Sequence, residues 1–150
     1  MNPKKPRAKC LCGCNREVSR VKCTFYSLKC QQDYKYRAYI ERWKEGLESG
    51  LWVSGTVSNP IKRYLLEKYG EQCQQCGWSE RHKITGRVPI QIDHIDGDFT
   101  NNMENNLRLL CPNCHSLTPT YGGLNKGNGR TYRIKYESRA KVLTAIKIIS

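Results

Sequence analysis

Apolar residues return at helical spacing in several stretches of this chain. In "QQDYKYRAYIERWKEGL" the positions Tyr36, Tyr39, Ile40, Trp43 and Leu47 fall on one face, which predicts an amphipathic helix ending near Gly46. A stripe of this kind is more often packed against its own domain than offered to a base for stacking. A second helix is expected after Asn59-Pro60, with Asn as cap and Pro at the first helical position. Ile61, Tyr64, Leu65 and Tyr69 continue it and Gly70 ends it. The period then shortens. "VPIQID", residues 88–93, alternates apolar and polar as a half-buried strand does, and "LRLL", residues 107–110, predicts a second short strand. "PNCHSL" opens a helix with Pro112 in its first turn, and "ESRAKVLTAIKII" near the end predicts another.

Between these elements, "GLESGLWVSGTVSNP" clusters Gly and Ser without periodicity and marks a division. Four parts follow: a cysteine-rich head with its helix over 1–50, a linker over 51–59, a core over 60–120, and a basic loop and helix over 121–150. The fold class expected is a small zinc-stabilised α+β protein.

Composition bears first on metal. Apolar residues make up 38% of the 150 and charged residues 26%, which suits a soluble globular chain. No apolar run approaches the roughly 20 residues that span a bilayer, so no membrane partner is expected. The basic start "MNPKKPRAK" is not followed by the apolar segment of a signal peptide, and a cytoplasmic location is expected. In a reducing compartment nine cysteines, an odd number, point to zinc rather than disulfides.

Cys73 and Cys76 form one Cys-x2-Cys, and Cys111 and Cys114 form another, with 34 residues between. Two thiolate pairs on tight turns supply the four tetrahedral ligands of a structural zinc, with no position left for water. The segment between them is then a loop pinned at its base, and ligation adds to its folding free energy. The head offers five thiols, Cys10, Cys12, Cys14, Cys23 and Cys30, where zinc takes four. Cys12 or Cys14 is in surplus; with Cys12 set aside, the expected second set is Cys10, Cys14, Cys23 and Cys30.

Charge adds a candidate partner. The net charge is +13, yet residues 71–120 hold six acidic and four basic side chains, while both ends are strongly basic. Basic flanks around an acidic centre suit a polyanion gripped at the edges and cations drawn to the middle. Solubility alone would also explain lysine-rich ends. Lys126, Arg130, Arg133 and Lys135 are the candidates for phosphate contacts.

The acidic centre contains "IDHIDGDFTNNMENNLRLLCPNCH", residues 92–115. Asp93 and His94 stand where the first strand ends, and His115 directly follows the last clasp cysteine. Closing the clasp draws His115 towards Asp93. One carboxylate and one imidazole with open positions suit Mg²⁺ or another hydrated divalent ion. His94 points the other way on the pleat and is placed to deprotonate a water. Asn106 ends the loop, where its amide can bridge backbone groups and fix His94. Taken singly, each of these residues is more often a turn, a surface group or a zinc neighbour; their combination carries the argument.

"IDHIDGDFTNNMENNLRLLCPNCHSLT" resembles the HNH endonucleases, whose site is a ββα-metal finger, and in particular the phage and bacterial subgroup with a four-cysteine zinc. The resemblance is specific over 73–115 and continues more loosely through "SLTPTYGGLNKGNGR". It implies Asp93 and His115 as metal ligands, His94 as the base that activates water, and Asn106 as the residue that holds the loop. The first motif position is Asp here rather than His. Where some members carry a further metal histidine this chain has Pro119, so two protein ligands are expected. The head resembles the N-terminal zinc-binding segment of phage members, with Tyr26 where those usually have Cys.

The expectation is therefore an HNH-type endonuclease that hydrolyses double-stranded DNA with one or two structural zinc ions and a catalytic divalent cation. The rival is a zinc-stabilised DNA-binding module without catalysis, and nothing in the chain selects against RNA. Whether two copies pair into a homodimer is not written in the sequence.

Overall fold

The computed structural model describes residues 6–125. Helix α1 spans Leu28–Lys44, α2 spans Asn59–Tyr69, strands β1 and β2 span Gln91–His94 and Leu107–Leu110, and a short α3 spans Pro112–Ser116. Among the described residues, no helix is long and apolar enough to cross a membrane. The tail, with its expected helix and with Lys126, Arg130, Arg133 and Lys135, lies outside the described residues.

Helix α1 begins earlier than the apolar stripe suggests, because Ser27 caps it: its Oγ accepts the Cys30 N–H at 3.2 Å. It ends at Lys44, where the N–H groups of Glu45, Gly46 and Leu47 turn back onto the carbonyls of Glu41, Trp43 and Arg42. Gly46 has φ 77°, the left-handed conformation such a stop requires. Leu47 therefore falls beyond the helix and is exposed. Helix α2 takes Ser58 rather than Asn59 as its cap residue, and the Ser58 hydroxyl pairs with the Tyr39 hydroxyl at 3.0 Å.

The first strand is shorter than "VPIQID" suggested and sits later. Pro89 has no N–H, and the Ile90 N–H bonds the Val88 carbonyl, so pairing starts only at Gln91. From there the strands run antiparallel, with Gln91 opposite Leu110, Ile92 opposite Leu109, Asp93 opposite Arg108 and His94 opposite Leu107.

This register sorts the side chains onto two faces. Ile92, Leu107 and Leu109 join Ile40 and Trp43 of α1 and Ile61 and Leu65 of α2 in one core. Tyr36, Tyr39, Tyr64 and Tyr69 pack against it, so the aromatic stripe is packing material. On the other face Leu110 packs with Cys73, Cys111 and Cys114 beneath α3. The helical head and the strands thus share one apolar core, with His94 on the helix-facing side and Asp93 on the α3 side.

Candidate active site

The clasp is assembled from two short turns. Cys73–Trp78 folds back on itself through Gly77, at φ 74°, whose N–H bonds the Cys73 carbonyl. This turn docks on β2: the Gln74 N–H bonds the Leu109 carbonyl at 2.8 Å, and the Leu109 N–H returns to Gln74 Oε1 at 2.6 Å. Cys111 caps α3, its Sγ accepting the Cys114 N–H. The sulfurs of Cys73, Cys76, Cys111 and Cys114 all lie within 4.8 Å of one another.

Burial pushes the Cys73 thiol up, but backbone hydrogen bonds from Cys111, Cys76 and Gln75 outweigh it and bring it down to about 6. Cys114 moves the other way, up to about 12, through its hydrogen bond with Cys76 and its burial. Four crowded sulfurs with split proton affinities are what a cation would relieve, since coordination deprotonates each thiol outright. The donor set fits tetrahedral zinc.

A second group forms in the head from Cys10, Cys12, Cys14 and Cys30, again within 4.8 Å. Its membership differs from the expected one: Cys12 stands in the place given to Cys23. A small hairpin bridged at Lys9 and Glu17 folds back through Gly13, at φ 85°, and brings Cys10 and Cys12 sulfurs to 3.3 Å. The Ser27 cap fixes the first turn of α1, which presents Cys30 to that hairpin. Cys23 sits in a separate turn closed onto the Arg20 carbonyl.

Beside the clasp, Asp93 is 5% exposed. Its Oδ2 accepts a hydrogen bond from Arg108 Nε at 2.8 Å, and its Oδ1 lies 3.5 Å from His115 Nε2. Two ligands each about 2.1 Å from one ion stand about 3.0 Å apart at a right angle and about 3.4 Å apart at a tetrahedral one, so this pair fits a shared cation. Arg108 leaves Oδ1 as the free carboxylate oxygen on that side. The His115 ring is set by α3, by the Thr118 hydroxyl on its carbonyl at 3.0 Å, and by edge-on packing with Tyr121.

Asn106 is buried and organises the loop. Its Oδ1 accepts the Asp96 N–H at 3.0 Å, its Nδ2 donates to Asp96 Oδ1 and to the Asn101 carbonyl at 2.8 Å each, and its carbonyl receives the Ile95 N–H. Burial pushes the Asp96 carboxyl up, but hydrogen bonds from Asn106, Asn101 and the Asp98 backbone outweigh it and hold it below the usual range. The side chain that touches His94 is a different asparagine: His94 Nε2 lies 2.9 Å from Asn102 Oδ1. Arg108 and Asn102 were both missed from sequence. Arg108 is opposite Asp93 in register, a cross-strand charge pair that a correct register would have revealed.

Two short strands bearing a carboxylate and an imidazole, beside a short helix that bears a second imidazole and is pinned by four thiols, make a ββα finger with a candidate cation site. Residues 73–118 match the family of HNH endonucleases. Over 96 residues, 61% of the chain, the sequence is 35% identical to the H-N-H endonuclease F-TflIV of Escherichia phage T5. The chain covers 40% of the length of that relative. No solved structure matches the chain.

Proposed function

We propose that the protein is a metal-dependent endonuclease that hydrolyses phosphodiester bonds of double-stranded DNA. Asp93 and His115 hold a divalent cation, and His94 takes the proton of the attacking water. When bound, the cation supplies charge stabilisation for the phosphate and for the departing 3′-oxygen. His94 stands next to Asp93 on the strand but on the opposite face, so it stays outside the cation's ligand set with a ring nitrogen free to accept a proton. Asn106 ties the loop between the strands to its own base, so that both residues stay at the strand end. Zinc at Cys73, Cys76, Cys111 and Cys114 keeps α3, and with it His115, against β1, and the Cys10, Cys12, Cys14 and Cys30 group takes a second structural zinc. Lys126, Arg130, Arg133 and Lys135 neutralise DNA phosphates, and the protein acts in the cytoplasm.

The observation that carries this reading is the 3.5 Å approach of Asp93 Oδ1 to His115 Nε2 while Arg108 occupies the other carboxylate oxygen. The test is supercoiled plasmid incubated with the zinc-loaded protein and Mg²⁺ or Mn²⁺. Cleavage that EDTA and His94→Ala both abolish is expected. Intact plasmid under every metal, with a persisting gel shift, would make the protein a DNA-binding module instead.

A further inference from the structure

Asn102 is 3% exposed and lies in the loop between the strands. Its side-chain nitrogen faces two backbone carbonyls, of Ser49 at 3.2 Å and of Thr100 at 3.3 Å. Carbonyl oxygens only accept, so the atom facing them must be the NH₂ group and the oxygen must face His94. An amide oxygen only accepts as well. The ring nitrogen 2.9 Å from it, Nε2, is therefore the protonated one. In the neutral imidazole the lone pair then resides on Nδ1.

Asn102 is itself held from outside the finger. The buried Trp43 indole N–H, on α1, donates to the Asn102 carbonyl at 2.8 Å. Ser49 follows the same helix in a turn that closes on Gly50, at φ 70°. A methyl group at Gly50 would stand 2.8 Å from Asn102 Cβ and 2.6 Å from Ile61 Cδ1, so the turn can approach this closely only with glycine.

We propose that Asn102 is a positioning residue, fixing His94 as the Nε2-protonated tautomer with Nδ1 free to accept the proton of water, and that Trp43 and Ser49 hold it in that orientation. The proposal rests on the nuclease reading above for its catalytic meaning. The tautomer itself is observable without any turnover, so the two fail separately.

The chain has three histidines, His82, His94 and His115, so ¹⁵N-histidine labelling of the full zinc-loaded protein gives a small set of ring signals. A His94→Gln sample assigns those of His94. Long-range ¹H–¹⁵N spectra are expected to show Nε2 protonated in the wild type and a mixture of tautomers in Asn102→Ala. Plasmid-nicking kinetics of Asn102→Ala are expected to show kcat lower by about 10- to 100-fold with KM unchanged, the scale on which partners of functional histidines act. Trp43→Phe, which keeps an aromatic ring but loses the N–H, is expected to lower kcat by less, again at constant KM.

A wild-type His94 protonated on Nδ1 would overturn the proposal, and that tautomer is read in the unsubstituted protein. So would Asn102→Ala with wild-type kcat, or with a lower kcat and an unchanged tautomer. A wild type that shows the Nε2 tautomer but never nicks plasmid would sink the nuclease reading and remove the catalytic role of Asn102 with it.

Discussion

Asp93 and Arg108 stand opposite each other across the two-stranded sheet, and the Arg108 Nε–H reaches Asp93 Oδ2 at 2.8 Å. Asp93 is buried while Arg108 stays partly exposed, and their hydrogen bond fixes which carboxylate oxygen is left for a cation. Replacing the guanidinium by a flexible ammonium keeps the charge and loses the fixed direction.

Arg108→Ala is accordingly expected to weaken Mn²⁺ binding at the Asp93/His115 pair by about 10- to 100-fold. Arg108→Lys should fall between Ala and wild type. Titration calorimetry on the zinc-loaded protein measures this directly. Equal Mn²⁺ affinity in all three proteins would show that Asp93 needs no orienting partner.

Metal removal should act through the clasp. Structural zinc contributes on the order of 10 kcal/mol to small zinc domains, more than a two-stranded sheet on one small core can replace. Cys111→Ser, which keeps a side-chain acceptor at the cap of α3 but removes one thiolate ligand, is expected to leave the strands and α3 unfolded at room temperature. A strong chelator should do the same to the wild type. Circular dichroism with zinc titrated back separates the two: the chelated wild type refolds and Cys111→Ser does not.

Glu104 joins the loop to α2, accepting hydrogen bonds from the Tyr64 hydroxyl at 2.7 Å and from Lys68. Burial pushes its carboxyl up, but the bonds from Lys68 and Tyr64 and the charges of Lys68 and Lys44 outweigh this and hold it below its ordinary 4.5. A carboxyl with a depressed folded pKa stabilises fully above its unfolded value and loses that contribution as pH falls through the folded one. Glu104→Gln should therefore cost about 1 kcal/mol near neutral pH, a value discounted for partial exposure. The gap to wild type should shrink as pH drops below 4.5, when urea melts are compared at matched zinc. A gap independent of pH would assign the loss to packing.

Much of the candidate site was legible because its signals are local. Cys-x2-Cys spacing, the Asp-His pair at a strand end and the nine-residue step from Asn106 to His115 are all written in short stretches. The second strand carried its own pattern, whereas the first was misplaced because Val88 and Ile90 imitate strand alternation on either side of a proline. The head's cysteines could not be sorted by spacing: a hairpin turning at Gly13 brings Cys12 inward, and the number of intervening residues does not reveal that fold. Asn102 was invisible for a different reason. Its partners Trp43 and Ser49 lie 59 and 53 residues away along the chain, and no periodicity links them.

The shared core has a consequence for anyone wishing to move this finger elsewhere. The stretch that matches the family, 73–118, contains the Asp93–His115 pair and the clasp but leaves behind Ile40, Trp43, Ile61 and Leu65, the side chains that cover Leu107 and Leu109. Grafted without them onto another protein, the finger would turn a greasy sheet face towards water and lose the two anchors that aim its histidine. The smallest transplantable unit therefore begins at the helical head.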